Sequence, residues 1–159
     1  MNKISPFLWF DTQAEEAANF WTSIFPDSRV TRVVGYPADA PDKKEGETMT
    51  VEFELFGQKY VGLNGGPTFK FNWAISLSVA CDTQEEVDRY WAALTSDGGK
   101  EVQCGWLEDK FGLAWQITPK ALDEYLASDD EGVRKRVFEA MMGMVKIDIA
   151  TLDRAAKGT

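Results

Sequence analysis

The residue best suited to covalent chemistry in this sequence is Cys104, which precedes Gly105. A glycine at that position would leave the cysteine sulfur open to approach. The chain contains no histidine, the side chain that most often activates a nucleophile and most often supplies nitrogen to a transition metal. This absence excludes Ser-His-Asp catalysis, Cys-His catalysis and His-ligated zinc. A reactive thiolate at Cys104 would need Lys110 or a backbone dipole beside it, and an inert, packed thiol is the simpler interpretation.

The composition limits the partners of the protein. The chain has 159 residues and a formal net charge of −9, and such an acidic chain repels the phosphate backbone of nucleic acids. No apolar run is long enough to cross a bilayer, and the N-terminus lacks the apolar region of a signal peptide. Cys81 and Cys104 are too few for a disulfide framework. We expect a cytoplasmic protein with reduced thiols that binds neither nucleic acid nor membrane.

The elements that must position these residues begin with a strand and a helix. Residues 4–10 are mostly apolar and favour a strand. Thr12, with Glu15 three residues later, has the pattern of a capping box at the start of a helix. Alternating and β-favouring residues then predict three further strands, at residues 29–36, 48–56 and 59–64. A tight turn joins the last two.

The same order then repeats. A strand is predicted at residues 73–80, a second capping box at Thr83 and Glu86, and strands at residues 100–110 and 112–118. Asp11-Thr12-Gln13 before the first helix matches Asp82-Thr83-Gln84 before the second. A shared helix-start motif alone could arise by chance, but the shared order of elements favours duplication.

A helical tail follows residue 118. Ser128 with Glu131 forms a third capping-box pattern. The methionine-rich residues 141–144 could form an adaptable binding surface, but at helical spacing they more often belong to a core or to a subunit interface.

Several short stretches, spread over nearly the whole chain, together resemble one known family. They are Pro6-Phe7-Leu8-Trp9-Phe10-Asp11, Leu63-Asn64-Gly65-Gly66-Pro67, Cys104-Gly105-Trp106-Leu107, Asp109-Lys110-Phe111-Gly112, Trp115-Gln116-Ile117-Thr118-Pro119 and Lys146-Ile147-Asp148-Ile149. The combination resembles the PhnB-like proteins, also labelled demethylubiquinone methyltransferase-like. They belong to the vicinal-oxygen-chelate superfamily, which includes glyoxalase I, extradiol dioxygenases and antibiotic-binding resistance proteins.

The resemblance implies a glyoxalase/bleomycin-resistance/dioxygenase fold of the α+β class. Two tandem βαβββ modules, residues 1–66 and 72–118, would form a curved mixed sheet in one domain, residues 1–118. Helices of the C-terminal tail, residues 119–159, would pack on the same domain.

The resemblance also implies a cavity enclosed by the sheet. The residues expected to line it are Phe7, Trp9, Asn64, Phe69, Phe71, Cys104, Trp106, Trp115 and Gln116. Aromatic walls with few polar groups suit a flat or apolar ligand, which Asn64 and Gln116 would orient by hydrogen bonds. The alternative is a filled aromatic core, the commoner role of residues such as Trp9 and Trp115.

The chemistry of the superfamily does not transfer with its fold. Its metal-dependent members carry four His or Glu ligands, and the matching positions here are Ser5, Gly62, Ala74 and Gln116. These residues offer a poor site for a divalent cation, so we expect no metal. The glycine-rich segment around Gly65 leads to Pro67 and Phe69 rather than to a helix start, unlike a common S-adenosylmethionine site. We therefore expect no cofactor.

The sequence thus predicts a metal-free protein that binds a small apolar or aromatic molecule and forms a homodimer. One alternative is a metal-independent enzyme that acts on an aromatic or quinone-like substrate through Cys104 or a carboxylate. A second alternative is a protein-interaction module whose tail helices recruit a partner.

Overall fold

Each half of the chain forms one four-stranded mixed sheet with one helix packed on it. The structure is a computed structural model that describes residues 2–159. It divides into two units, one ending at Phe71 and the other formed by Asn72–Thr159. In each unit the elements follow the order βαβββ, which confirms the expected α+β class and the duplication that the repeat indicated.

The first unit contains β1 to β4 and α1. Their bounds are β1 Phe7–Phe10, α1 Ala14–Ile24, β2 Arg29–Gly35, β3 Thr48–Leu55 and β4 Gln58–Asn64. The strand order is β1-β4-β3-β2, with β1 parallel to β4 and the other pairs antiparallel. β3 and β4 form the hairpin that the turn at Gly57 predicted.

The core of the first unit lies between α1 and one face of its sheet. The buried side of α1 consists of three alanines and Trp21. Small alanines let the helix approach the strands closely, and the Trp21 ring then meets the Phe53 ring of β3 at 5.8 Å. Val51, Phe53 and Leu55 occupy every second position along β3, so all three point to the same side.

The second unit contains β5 to β8 and α2 to α5. The sheet and its helix are β5 Ser76–Cys81, α2 Gln84–Thr95, β6 Lys100–Glu101, β7 Trp106–Glu108 and β8 Ala114–Pro119. The tail helices are α3 Lys120–Leu126, α4 Glu131–Met142 and α5 Ile149–Lys157. The strand order β5-β8-β7-β6 repeats that of the first unit, again with a parallel pair, β5 and β8, at one edge.

The tail helices of the second unit pack around a small cluster of buried residues. Four buried residues form this cluster: Leu122, Val137, Ile147 and Leu152. Gln84 of α2 connects to the tail twice, because its Nε2 donates to the Ile147 carbonyl at 3.0 Å and its Oε1 accepts from the Ile149 amide at 2.8 Å. Whether residues 1–118 form one domain with the tail as an appendage stays a prediction.

The three capping boxes have different outcomes. Thr83 caps α2 as predicted, since its hydroxyl accepts from the Glu86 amide at 3.2 Å. The Thr12 prediction is wrong: the helix starts after Gln13 without a local side-chain cap. The third prediction is displaced, because Asp130 rather than Ser128 caps α4. The capping-box patterns therefore predict the starts of these three helices to within two residues, but they identify the capping residue of α2 alone.

Two predicted strands of the second unit are shorter than expected. The strand predicted at residues 73–80 starts at Ser76, because the Asn72 side chain accepts from the Ala74 amide at 2.9 Å and holds a turn there. The strand predicted at residues 100–110 is interrupted by Cys104 and Gly105, whose φ angles are 60° and 80°. The chain reverses at this point, and the resulting β6–β7 hairpin supplies the second and third of the four strands in the second βαβββ module.

Within residues 2–159, no helix has the length and apolar character needed to cross a membrane.

Candidate functional site

The register of the second sheet assigns its residues to two faces. Adjacent residues of a strand point to opposite sides, so Trp115 and Ile117 of β8 face α2 while Gln116 faces away. Directly paired residues share a face, and both Trp106 and Ser78 pair with Gln116. We call the surface away from α2 the open face of the second sheet; it carries Ser76, Ser78, Trp106, Glu108, Gln116 and Thr118.

Two tryptophans stack at this open face. The rings of Trp73 and Trp106 lie nearly parallel, with centroids 5.6 Å apart and planes inclined by 10°. The Trp73 indole nitrogen donates to a Glu108 carboxylate oxygen at 2.9 Å. Trp73 is 39% exposed, so the stack presents an aromatic surface to solvent with its outer ring held in place.

Gln116 supplies a polar group beside the stack. Its amide nitrogen donates to the Ser76 hydroxyl at 2.9 Å, which fixes the orientation of the side chain. Among residues 2–159, no donor bonds the other amide atom, Oε1. Gln116 therefore offers a free acceptor next to an aromatic surface.

Trp115 lies on the other side of the strand, in the core. It is 1% exposed, and its indole nitrogen donates to Asp109 Oδ2 at 2.8 Å. Asp109 is itself buried, and its Oδ1 accepts from the amides of Phe111 and Leu113 at 2.9 and 3.0 Å. The structure does not bring Trp115 to the face that carries Gln116, and it favours core packing for this residue.

The first unit has its own aromatic surface, around Trp9. Trp9 and Phe7 of β1 point away from α1, and the Trp9 ring meets Phe69 edge-on at 5.0 Å. The Trp9 indole nitrogen donates to the Gly66 carbonyl at 2.8 Å. A Cβ atom on Gly65 would lie 2.4 Å from the Trp9 ring, so only glycine fits there. Gly65 and Gly66 therefore hold the Trp9 ring in position. Phe7 and Phe69 remain largely exposed.

Asn64 and Phe71 lie on the α1 side of the same sheet. Asn64 is 7% exposed, and its Oδ1 accepts from the Ala14 amide at 2.9 Å while its Nδ2 donates to the Thr48 carbonyl at 3.1 Å. Phe71 meets Phe10 edge-on at 5.2 Å. The expectation that both residues share a lining with Trp9 is not met. Asn64 instead caps α1, because its Oδ1 accepts from the first amide of the helix.

Among residues 2–159, Cys104 has no hydrogen-bond or ion-pair partner that would activate it as a nucleophile. Its sulfur lies 3.8 Å from the Met142 sulfur. Its backbone amide donates to the Met144 carbonyl and the Gly105 amide to the Val145 carbonyl, each at 2.8 Å, so neither can bind a developing oxyanion. Lys110, the suggested activator, lies 3.8 Å from Asp97. The geometry gives Cys104 a role in holding the tail through its backbone.

Cys81 is a buried thiol. Its side chain is fully enclosed between sheet and helix, and burial, with the nearby carboxylates of Glu86 and Asp82 as smaller contributions, raises the pKa of Cys81 to about 12. It is therefore a structural thiol.

Two residues that build the aromatic stack, Glu108 and Trp73, were not identified from the sequence. Glu108 lies two residues after Trp106, and this period-two spacing would have placed it on the same face. The sequence pattern places Trp73 in a strand. Its contact with Trp106 joins residues far apart in sequence, and local sequence patterns do not predict such contacts.

The positions that match metal ligands in the superfamily do not fit a metal. Gly62 lies beneath α1, where a Cβ would be 3.1 Å from the Ala14 methyl. Ala74 lies in a turn, and Gln116 bonds Ser76. Among residues 2–159, no three His, Cys, Asp or Glu side chains are grouped as metal ligands.

Two βαβββ units with mixed four-stranded sheets define the glyoxalase/bleomycin-resistance fold of the vicinal-oxygen-chelate superfamily. The comparisons with known proteins agree. A family model described as 3-demethylubiquinone-9 3-methyltransferase matches residues 2–118. The chain belongs to this family of PhnB-like proteins.

Several solved structures are similar to this chain. A PhnB protein from Bacillus cereus is 36% identical, with a TM-score of 0.67 over 74% of this chain and 99% of its own. A protein from Pseudomonas aeruginosa, 19% identical, has a TM-score of 0.61 over 75% of this chain and 98% of its own. The fosfomycin resistance protein FosX from Listeria monocytogenes, in complex with Mn(II) and sulfate, shares the fold at 15% identity, with a TM-score of 0.54 over 79% of this chain and 94% of its own. No curated protein matches the sequence.

The family's description as a methyltransferase implies a binding site for a methyl donor. The glycine-rich segment at Gly65 and Gly66 does not fit such a site. Gly65 is required by the Trp9 ring, and the element that follows it is strand β5 rather than a helix N-terminus.

Proposed function

We propose that this protein binds a small flat aromatic molecule on the open face of its second sheet. The observation that carries the proposal is the Trp73–Trp106 stack beside the free Oε1 of Gln116. A planar ligand would extend the stack over the exposed Trp73 ring, since offset stacking of aromatic rings is favourable. A donor on the ligand, such as a hydroxyl or an amine, would bond the Gln116 acceptor.

Preorganisation supports this proposal. Glu108 holds the Trp73 ring through its indole nitrogen, and Ser76 holds the Gln116 amide. Side chains that are already fixed lose little entropy when a ligand binds. The Trp9–Phe69 pair in the first unit supports the same preference for an aromatic ligand, because it too leaves apolar ring surface exposed.

Binding without turnover is the function we propose. In the part of the chain that the structure describes, Cys104 forms no hydrogen bond to a base, and its amide and that of Gly105 are already bonded to carbonyls of the tail, which argues against the alternative of a thiol enzyme. The exposed apolar groups support the further proposal of a homodimer. The cytoplasmic location expected from the sequence remains a proposal.

The direct test is mass spectrometry of small molecules released from protein purified under native conditions. We expect an aromatic compound, present in wild-type protein and depleted in a Trp73→Ala, Gln116→Ala double variant. A matched control is Ser78→Ala, on the same face; within residues 2–159 the Ser78 side chain forms no hydrogen bond to Trp73, Trp106 or Gln116. Wild-type protein that releases no aromatic compound and takes none up from solution would overturn the proposal.

A further inference from the structure

The first unit contains a cleft that shares no residue with the open face described above. Its volume is about 280 Å³, and it opens between the start of α1, the loop after β2 and the end of β4. Drug-sized ligands occupy pockets of roughly 300 to 1,000 Å³, so this cleft suits a smaller metabolite. Its walls include Glu15, Tyr36, Lys43, Glu47, Thr48 and Asn64.

Hydrogen bonds fix the floor of the cleft. The Asn64 side chain bridges the Ala14 amide and the Thr48 carbonyl. The Tyr36 hydroxyl donates to the Asn64 carbonyl, and the Thr48 hydroxyl donates to Glu15 Oε2 at 2.8 Å. The Tyr36 ring and the Glu15 carboxylate are therefore held in position before any ligand arrives.

Opposite charges line this cleft without pairing. The Lys43 ammonium lies over the Tyr36 ring, 5.3 Å from its centroid. Within the described residues 2–159, no carboxylate approaches that ammonium to within the 4.0 Å of an ion pair. Glu15 and Glu47 line the same cleft. Their separation from Lys43 leaves room for a molecule that carries charges of both signs.

We propose that this cleft binds a basic α-amino acid such as lysine or arginine. Two carboxylates and one ammonium give the walls a formal charge of −1, and a basic amino acid carries one carboxylate and two cationic groups. The ligand carboxylate pairs with Lys43, and its two cationic groups pair with Glu15 and Glu47. The methylenes of the ligand side chain lie against the Tyr36 ring, where a nearby cation is also favourable.

The charge match predicts an order among amino acids. L-lysine has three charges to satisfy the three side chains, whereas L-norleucine has the same four side-chain carbons but lacks the terminal ammonium. L-glutamate would bring a second carboxylate towards Glu15 and Glu47, and like charges repel. The affinity should therefore fall from L-lysine to L-norleucine to L-glutamate.

Isothermal titration calorimetry of the full chain with these three amino acids tests the proposal. Glu15→Gln and Lys43→Gln should each weaken L-lysine binding about tenfold, as expected when one charge-assisted contact of ~1.4 kcal/mol is lost. Matched controls are Glu16→Gln and Lys44→Gln, which change the neighbouring exposed residues and should leave the affinity unchanged within a factor of about two.

Two results would overturn the proposal. One is the absence of saturable binding by both L-lysine and L-arginine up to about 10 mM, an affinity weaker than any specific site of this kind should have. The other is an equal loss of affinity in the cleft variants and in their matched controls, which would indicate only nonspecific attraction to an acidic protein. The site is independent of the open face of the second sheet, so its failure leaves the proposed function untouched.

Discussion

The Trp73 and Trp106 rings lie parallel at a centroid distance of 5.6 Å, although they come from different parts of the chain. Trp106 is in β7, whereas Trp73 lies in the turn before β5. The Glu108 carboxylate bonds the Trp73 indole nitrogen at 2.9 Å, so the strand that carries one ring also orients the other. Trp73 and Trp106 therefore belong to the open face, whereas Trp115 belongs to the core.

Trp106→Ala and Trp115→Ala should therefore differ in their effect on stability. Trp115 is enclosed and bonded to Asp109, so its removal leaves a cavity and should cost about 3 to 5 kcal/mol. Trp106 is only half-buried, and its removal should cost roughly 1 to 2 kcal/mol. Urea unfolding followed by circular dichroism measures both values. Equal losses would contradict the assignment of the two rings to different environments.

Asp109 should be essential to the second unit. Its carboxylate accepts hydrogen bonds from two amides and one indole while nearly enclosed. Asp109→Ala leaves those donors without partners, so we expect a loss of about 3 kcal/mol or more in the free energy of unfolding. Asp129→Ala, an exposed position in the turn before α4, is the control and should change stability by less than about 0.5 kcal/mol. A mild Asp109→Ala phenotype would mean that water replaces the carboxylate.

Asn64→Ala should destabilise the first unit more than Thr12→Ala. The Asn64 side chain caps α1 and bonds the Thr48 carbonyl, and its loss should cost about 2 to 3 kcal/mol. Thr12 does not cap the helix, so its replacement should cost less than about 0.5 kcal/mol. Thermal or urea unfolding compares the two variants. A larger loss of stability in Thr12→Ala than in Asn64→Ala would contradict this assignment and support Thr12 as the cap of α1.

This contrast illustrates how far sequence reasoning extends. Thr83 caps its helix as predicted because the donor and acceptor lie three residues apart, within the reach of a local rule. The cap of α1 comes from Asn64, 50 residues away, and only the folded sheet brings it there. Likewise, the period-two alternation of a strand places Trp115 and Gln116 on opposite faces of β8. The stacking of Trp73 on Trp106, in contrast, depends on the turn that the Asn72 side chain holds. Fold class and element order followed from local pattern and resemblance, whereas the site depended on long-range contacts.

The two cysteines should react at different rates. Burial raises the pKa of Cys81 to about 12, so in the folded protein it stays a protonated thiol through neutral and mildly alkaline pH. Cys104 is half-buried and should be the thiol that reacts. Titration with a disulfide reagent at pH 8 should modify one thiol in native protein and two in denaturing urea, and none in native Cys104→Ser protein. Rapid modification of Cys81 in that variant would contradict its enclosure.

The protein should be a homodimer in solution. Phe138 and Met142 lie four residues apart on α4, so they share one face of the helix, and each is about half exposed. Met141 and Met144 pack instead against the tail cluster, so of the three methionines expected at this surface Met142 is the one that contributes to it. Light scattering coupled to size exclusion should give twice the chain mass of 17.8 kDa, and Phe138→Glu with Met142→Glu should shift the mass towards the monomer. A wild-type mass of one chain at every concentration would rule the dimer out.

Titration of tryptophan emission with planar aromatic and quinone-like compounds tests the central claim most directly. Wild-type protein should show a saturable change with at least one compound. Trp73→Ala should weaken that binding by about tenfold or more while unfolding at nearly the wild-type urea concentration, since stacking on an aromatic side chain is worth about 1 kcal/mol or more beyond area burial. Ser78→Ala should bind as wild type does. Binding that is unchanged in Trp73→Ala, or a folded wild-type protein that responds to no compound in the series, would contradict the account.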